Sequence, residues 1–291
     1  MLPDTLSSLA SALESTLKLR TPPIGMKLFA SADTLGSIPK LRRPDKVHTL
    51  DQIVGQAARL GRTVGITADD LVGDQCRVVV GLRQDDPQWH TGKQMAGVWF
   101  ATVEDATRHQ AAMHRMPQGR YEALVVSPLH HWSGRADEPL GEPDIALFYA
   151  TPGAMMYFIN GLQWRGYRNF QWGVVGESSC ADSWGRALKT REPSLSIPCF
   201  AERRYGGVLD DEMLMALTVA DIGDQCRRRD QRSDAADHRR RPRDQLSRTH
   251  PSRQDQRQAA GQEPLVNLTG RGRRHVSVPA ARSGNDLAPP G

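Results

Sequence analysis

Cys76, Cys180 and Cys199 are the residues with the most chemistry to offer. The stretch GESSCADSW places Cys180 at the expected start of a helix, where free N–H groups and the helix dipole stabilise a thiolate. Cys199 follows Ile197-Pro198 at an expected strand end. Three thiolates gathered by a fold can hold a single metal ion or an iron–sulfur centre, with a fourth ligand from elsewhere. No CxxC spacing is present. A free cysteine also serves as a small buried hydrophobe, or, when activated, as a nucleophile or redox thiol. All of these roles stay open here. The fourth cysteine, Cys226, sits in a second copy of GDQCR (73–77 and 223–227). The flanks differ, VVVGL after the first and RRDQRSD after the second, so the repeat reads as coincidence.

Other candidates are weaker. Lys27 is the lone charge in the apolar stretch IGMKLF; a buried lysine can act as base or Schiff-base amine, an exposed one does neither. His130 and His131 follow YEALVVSPL and can ligate metal or move protons, or simply form a polar connection. Asp210, Asp211 and Glu212 suit a hard cation or an ordinary turn, and Arg203 and Arg204 suit a carboxylate substrate or surface charge. Met155, Met156, Tyr157 and Phe158 read as core. No P-loop, GxGxxG, HExxH or GxSxG is present. The sequon at Asn267–Thr269 carries no weight in its context.

The elements that must position these residues are readable from periodicity. Leu6, Leu9, Leu13 and Leu17 mark an amphipathic surface helix, and the acids Asp4 and Glu14 argue against a signal peptide. TPPIGMKLFA is a strand, with Ile24, Met26 and Leu28 on one face and Gly25, Lys27 and Phe29 on the other. HTLDQIVGQAARLG is a helix stopped by Gly61. TVGIT is a short strand, ADDLVGDQ a turn or short helix, CRVVVGL an apolar segment and 83–93 a loop. VEDATRHQAAMH follows as a helix, then YEALVVSPL and PDIALFYA as clear strands. Thr151-Pro152 supplies an N-cap and a proline in the first turn for the helix after it. FQWGVV, LSIPCF and DEMLMALTVA read as strands, SCADSWGRALK as a helix. Several neighbouring strands lack a crossover helix, which favours α+β over a doubly wound sheet. We therefore expect one mixed-sheet domain with flanking helices over 1–222.

From residue 223 the composition changes. Residues 226–291 carry 15 Arg, no Lys and 7 acids, whereas residues 1–225 carry 23 Lys and Arg against 26 acids. The net charge of +5 thus comes from the tail. The tail also lacks Phe, Trp and Tyr, so it has no stacking platforms for single-stranded nucleic acid, although arginines alone bind phosphate. It reads as a segment unable to bury a core, either a disordered arm or the product of a GC-rich gene shifted in frame near codons 220–227. No apolar run approaches the roughly 18 residues of a membrane span, and a soluble cytoplasmic protein is expected.

The segments PDIALFYATPGAMMYFINGLQWRGY, GESSCADSW and EPSLSIPCFAERRYGGVLDDEMLMAL occur in that order. TPPIGMKLF, AARLGRTVGITADD, GDQCRVVVGL and YEALVVSPL precede them. Over residues 10–220 this succession resembles the bacterial and archaeal family called domain of unknown function 169. The resemblance implies no particular reaction. Two departures stand out: members often carry a further cysteine before the helix that begins here near Leu50, and they usually continue past the DDE strand with a short apolar segment. The expectation is thus a cysteine-lined site, with Cys76, Cys180 and Cys199 as metal ligands and Cys180, Lys27 and His130 as candidates for catalysis. Its occupant would be a metal ion, an iron–sulfur centre or a small acidic ligand. The rival expectations are a noncatalytic ligand-binding or accessory protein with buried cysteines, and nucleic-acid binding through the tail, which the absence of aromatics disfavours.

Overall fold

The computed structural model describes residues 5–222, apart from 73, 83–91, 136, 165, 167, 168, 171 and 175–177. The tail from 223, the second GDQCR with Cys226, and most of the loop expected over 83–93 lie outside the described residues. Six strands form one sheet: β1 (Ile24–Phe29), β2 (Val64–Thr67), β3 (Ala123–Pro128), β4 (Ile145–Ala150), β5 (Ser194–Ser196) and β6 (Met213–Leu217), in the order β2-β3-β1-β4-β6-β5. Every pairing is antiparallel. The α+β class with flanking helices is what the structure has, but the sheet is not mixed. Strands β1 and β2, joined through a helix, do run parallel to one another; β3 lies between them, antiparallel to both.

Helices cover both faces. On one side pack α2 (Leu50–Leu60), α3 (Asp74–Val79) and α6, which spans 179–190 and contains a π-helical turn at Ala181–Gly185. Their Ile53, Ala57, Val79, Trp184 and Leu188 meet Ile24, Met26, Leu124, Leu147 and Leu214 of the sheet. On the other side α1 (Leu6–Leu17) and α5 (Pro152–Leu162) meet Val125, Ala146, Phe148 and Met215. Alternate side chains of a strand point to opposite faces, and here both faces are covered, so all six residues of β4 are buried. The remaining helices are α4 (Val103–Ala112) and α7 (Phe200–Arg204).

Local chemistry sets the boundaries. Helix α2 begins with a capping box, Gln52 N–H donating to Thr49 Oγ1 (3.2 Å) and Thr49 N–H to Gln52 Oε1 (2.9 Å), and ends on left-handed Gly61. Thr151 caps α5, and Pro152 occupies its first turn. Most of the apolar run CRVVVGL, whose periodicity alone does not settle strand or helix, is helical (α3). Two segments depart from expectation. Of the strand expected over LSIPCF only Leu195 and Ser196 are strand, and Phe200 already opens α7. Residues 172–174 of FQWGVV are not strand; Trp172 donates its indole N–H to Pro193 O (2.9 Å) instead. Among the described residues no helix is long and apolar enough to cross a membrane.

Candidate functional site

Three consecutive residues, Ser178, Ser179 and Cys180, each reach a different element at the amino end of α6. Cys180 Sγ lies 3.6 Å from Cys76 Sγ of α3, whose thiol donates to it. Ser179 donates its hydroxyl to Glu202 Oε2 on α7 and accepts the Cys199 N–H at 3.0 Å. Ser178 Oγ accepts from the Gln75 amide and lies 2.7 Å from His109 Nε2 of α4. Burial holds His109 below its ordinary pKa and so favours the neutral imidazole. One tripeptide therefore ties α3, α4, α6 and α7 together.

Glu202 is buried with its carboxylate fully engaged. Oε1 accepts from the Tyr149 hydroxyl of β4 (2.9 Å); Oε2 accepts from Ser179 and from the Cys199 N–H (3.1 Å). Burial pushes its pKa up, against these hydrogen bonds; Arg203 relieves it least. Asp51, buried in the first turn of α2, faces the same cluster. A pair of glycines brings that helix in: a Cβ on Gly55 would stand 2.8 Å from Gly206 O, and one on Gly206 would stand 3.1 Å from Asp51 O.

Burial and the bond between Cys76 and Cys180 set the state of the thiols, and the carboxylates add to it. Cys199 is pushed up to about 12 by burial first, then by Glu202 and Asp51. Cys76 rises well above its ordinary value because its proton is held in the bond to Cys180, and burial adds to this. For Cys180 the largest influence, the hydrogen bond from Cys76, lowers the pKa, yet burial, Cys199, Asp51 and Glu202 together raise it. At the helix start expected for it, the Cys180 thiol form is thus favoured, by burial first and then by its negative surroundings. Tyr149 is likewise pushed well up, mainly by burial.

The three residues taken as candidates for catalysis are not assembled in one place. Lys27, on the α1 face of the sheet, points its Nζ at Leu140 O (3.5 Å) and lies 5.6 Å from the Phe29 ring centroid. His130 bridges Glu14 Oε1 (2.6 Å) and Ser7 Oγ (3.1 Å) of α1, while His131 Nδ1 meets Thr63 Oγ1 (3.0 Å). Both belong to the side of the sheet opposite the thiols. Asp211 pairs with Arg20, Asp210 with Arg203, and Glu212 with Arg59, which gives the acidic run a structural role. Among the described residues no group of three or more His, Cys, Asp or Glu side chains is arranged to hold a metal ion. Asp51, Tyr149, Ser179 and Glu202 were not singled out from the sequence. The one local signal was the spacing of Cys199 and Glu202, which form a capping box at the start of α7.

The fold and site define an α+β domain with helices on both faces of an antiparallel sheet and a buried cluster of thiols and carboxylates beneath one helical layer. The chain belongs to the DUF169 family, described as uncharacterised ArCR, whose model matches residues 12–227. The match ends where the Arg-rich composition begins. No curated protein and no solved structure matches the chain.

Proposed function

We propose that the chain acts through the Cys76–Cys180 pair, as a site for a soft metal cation held by two thiolates, with Cys199 as the nearest further sulfur ligand. The observation that carries this reading is the pair of sulfurs 3.6 Å apart in a buried cluster shared with Asp51 and Glu202. Negative groups in a low-dielectric site hold the thiols protonated and poorly nucleophilic. A cation entering the site reverses this balance: it displaces both thiol protons and offsets the carboxylates. Thiolate ligands select Cu(I), zinc and iron–sulfur centres. Two sulfurs without a third preformed ligand favour the monovalent ion, since the other two need four ligands. The same carboxylates repel an acidic ligand, which is therefore a poor occupant of this cluster.

The test is anaerobic purification of the full-length chain, elemental analysis for copper, zinc and iron, and titration with Cu(I). Near-stoichiometric uptake that is lost in both C76S and C180S is expected. A folded protein that takes up Cu(I) equally with and without these thiols overturns the reading. The 3.6 Å separation also favours a second reading, a thiol–disulfide couple in which both thiols lose a proton and an electron to a small disulfide such as oxidised glutathione. Its signature is the loss of two titratable thiols in the wild type and of none in C76S.

A further inference from the structure

A second site lies at the other end of the same two helices. The segment after α4 runs past the carboxyl end of α3, where Met116 N–H donates to Val79 O (2.9 Å) and Gln118 Nε2 to Val78 O (2.8 Å). Between this segment and the end of α6 opens a cavity of about 500 Å³. Small-molecule sites span roughly 300–1,000 Å³. Arg115, Arg120 and Lys189 line it, over an apolar floor of Met116 and Leu188; Gln118 completes the wall, and no acidic side chain does. The positive field extends inward: His114 is held below its ordinary pKa by burial first, then by Arg186 and Lys189.

Gln118 is fixed in the wall. Its Nε2 donates to both Val78 O and Met116 O (2.8 Å each), which sets the amide orientation and leaves Oε1 closed off from the cavity. What the cavity presents is therefore the exposed cationic side chains of Arg120 and Lys189, and these suit an oxyanion.

We propose that this pocket binds a small organic anion bearing a phosphate or carboxylate group. Arg120 and Lys189 grip the oxyanion, and the carbon skeleton lies on Met116 and Leu188. The site is independent of the thiol cluster.

Calorimetric titration of the full-length chain with glycerol phosphate and with inorganic phosphate tests this. One saturable site that takes both compounds is expected. The double variant R120Q/K189Q changes two exposed side chains and should weaken binding about tenfold or more, whereas C76S should not. Binding unchanged in R120Q/K189Q would place the anion on other arginines, such as those of the tail, and overturn the proposal. So would the absence of saturable binding in a folded wild type.

Discussion

Replacing Cys199 by serine tests the electrostatics of the thiol cluster directly. The serine keeps the size of the side chain and removes an ionising group. In the folded chain the Cys199 thiol is pushed from its ordinary value near 9 up to about 12. A group with a raised folded pKa stabilises the fold fully below the unfolded value and loses that contribution as pH climbs toward the folded one. At about pH 10 the unfolded thiol is ionised roughly ten to one while the folded thiol is still protonated. That difference is about a factor of ten in the unfolding equilibrium, or about 1 kcal/mol. Urea unfolding followed by tryptophan fluorescence, at neutral pH and near pH 10, should show the wild type losing about 1 kcal/mol more than C199S. Parallel declines in the two proteins would mean that Cys199 does not sit in a buried, carboxylate-rich environment, and the case for a cation there would fall with it.

Three further perturbations probe the scaffold. Tyr149→Phe leaves Glu202 Oε1 without its hydroxyl donor and should cost about 1–3 kcal/mol in urea unfolding; a change of only a few tenths would show that the buried bond is not made. Gly185→Ala places a Cβ 2.5 Å from His114 O and 2.8 Å from Val79 Cγ1, so α6 must shift from α3 at a cost of about 1–3 kcal/mol. Gly153→Ala, on α5 with open space around it, should instead stabilise by about 0.4–1 kcal/mol, which makes the pair a control for each other.

What the sequence revealed divides along local and non-local lines. The leucines of α1, the strand IGMKLF with its two faces, and the Thr151-Pro152 helix start are each written in a few adjacent residues, and each stands as read. Strand partners are not written that way: β3 slips between β1 and β2 although it follows them by more than a helix, and the sheet becomes antiparallel as a result. The same limit applies to the site. Cys76 and Cys180 are 104 positions apart, and they meet because α3 and α6 pack on one face of the sheet. The placement of Cys180 near a helix start was legible, but its raised pKa was not. That depends on its burial, and then on Cys199, Asp51 from α2 and Glu202 from α7 converging on it. Glu202 itself, in FAERRY, is flanked by charge and looks like surface until Tyr149 and Ser179 close over it.

Helix dipoles supply part of the logic of both ends of α3 and α6. Negative charge is favoured at an amino end and positive charge at a carboxyl end, so Lys189 in the last turn of α6 has a reason to be there apart from any ligand. The same dipole, acting alone, would lower the pKa of Cys180. At each end the structure goes past what the dipole accounts for. Around Cys180 burial, with Cys199 and two buried carboxylates adding to it, reverses the expected shift, a costly arrangement for a protein that only needed to fill a core, since an apolar residue fills that space without it. Around Lys189 there is a cavity that Arg120 also lines. A dipole calls for a charge; it does not call for an empty volume lined by further cations. A cation at one end and an anion at the other would each offset the charge gathered there.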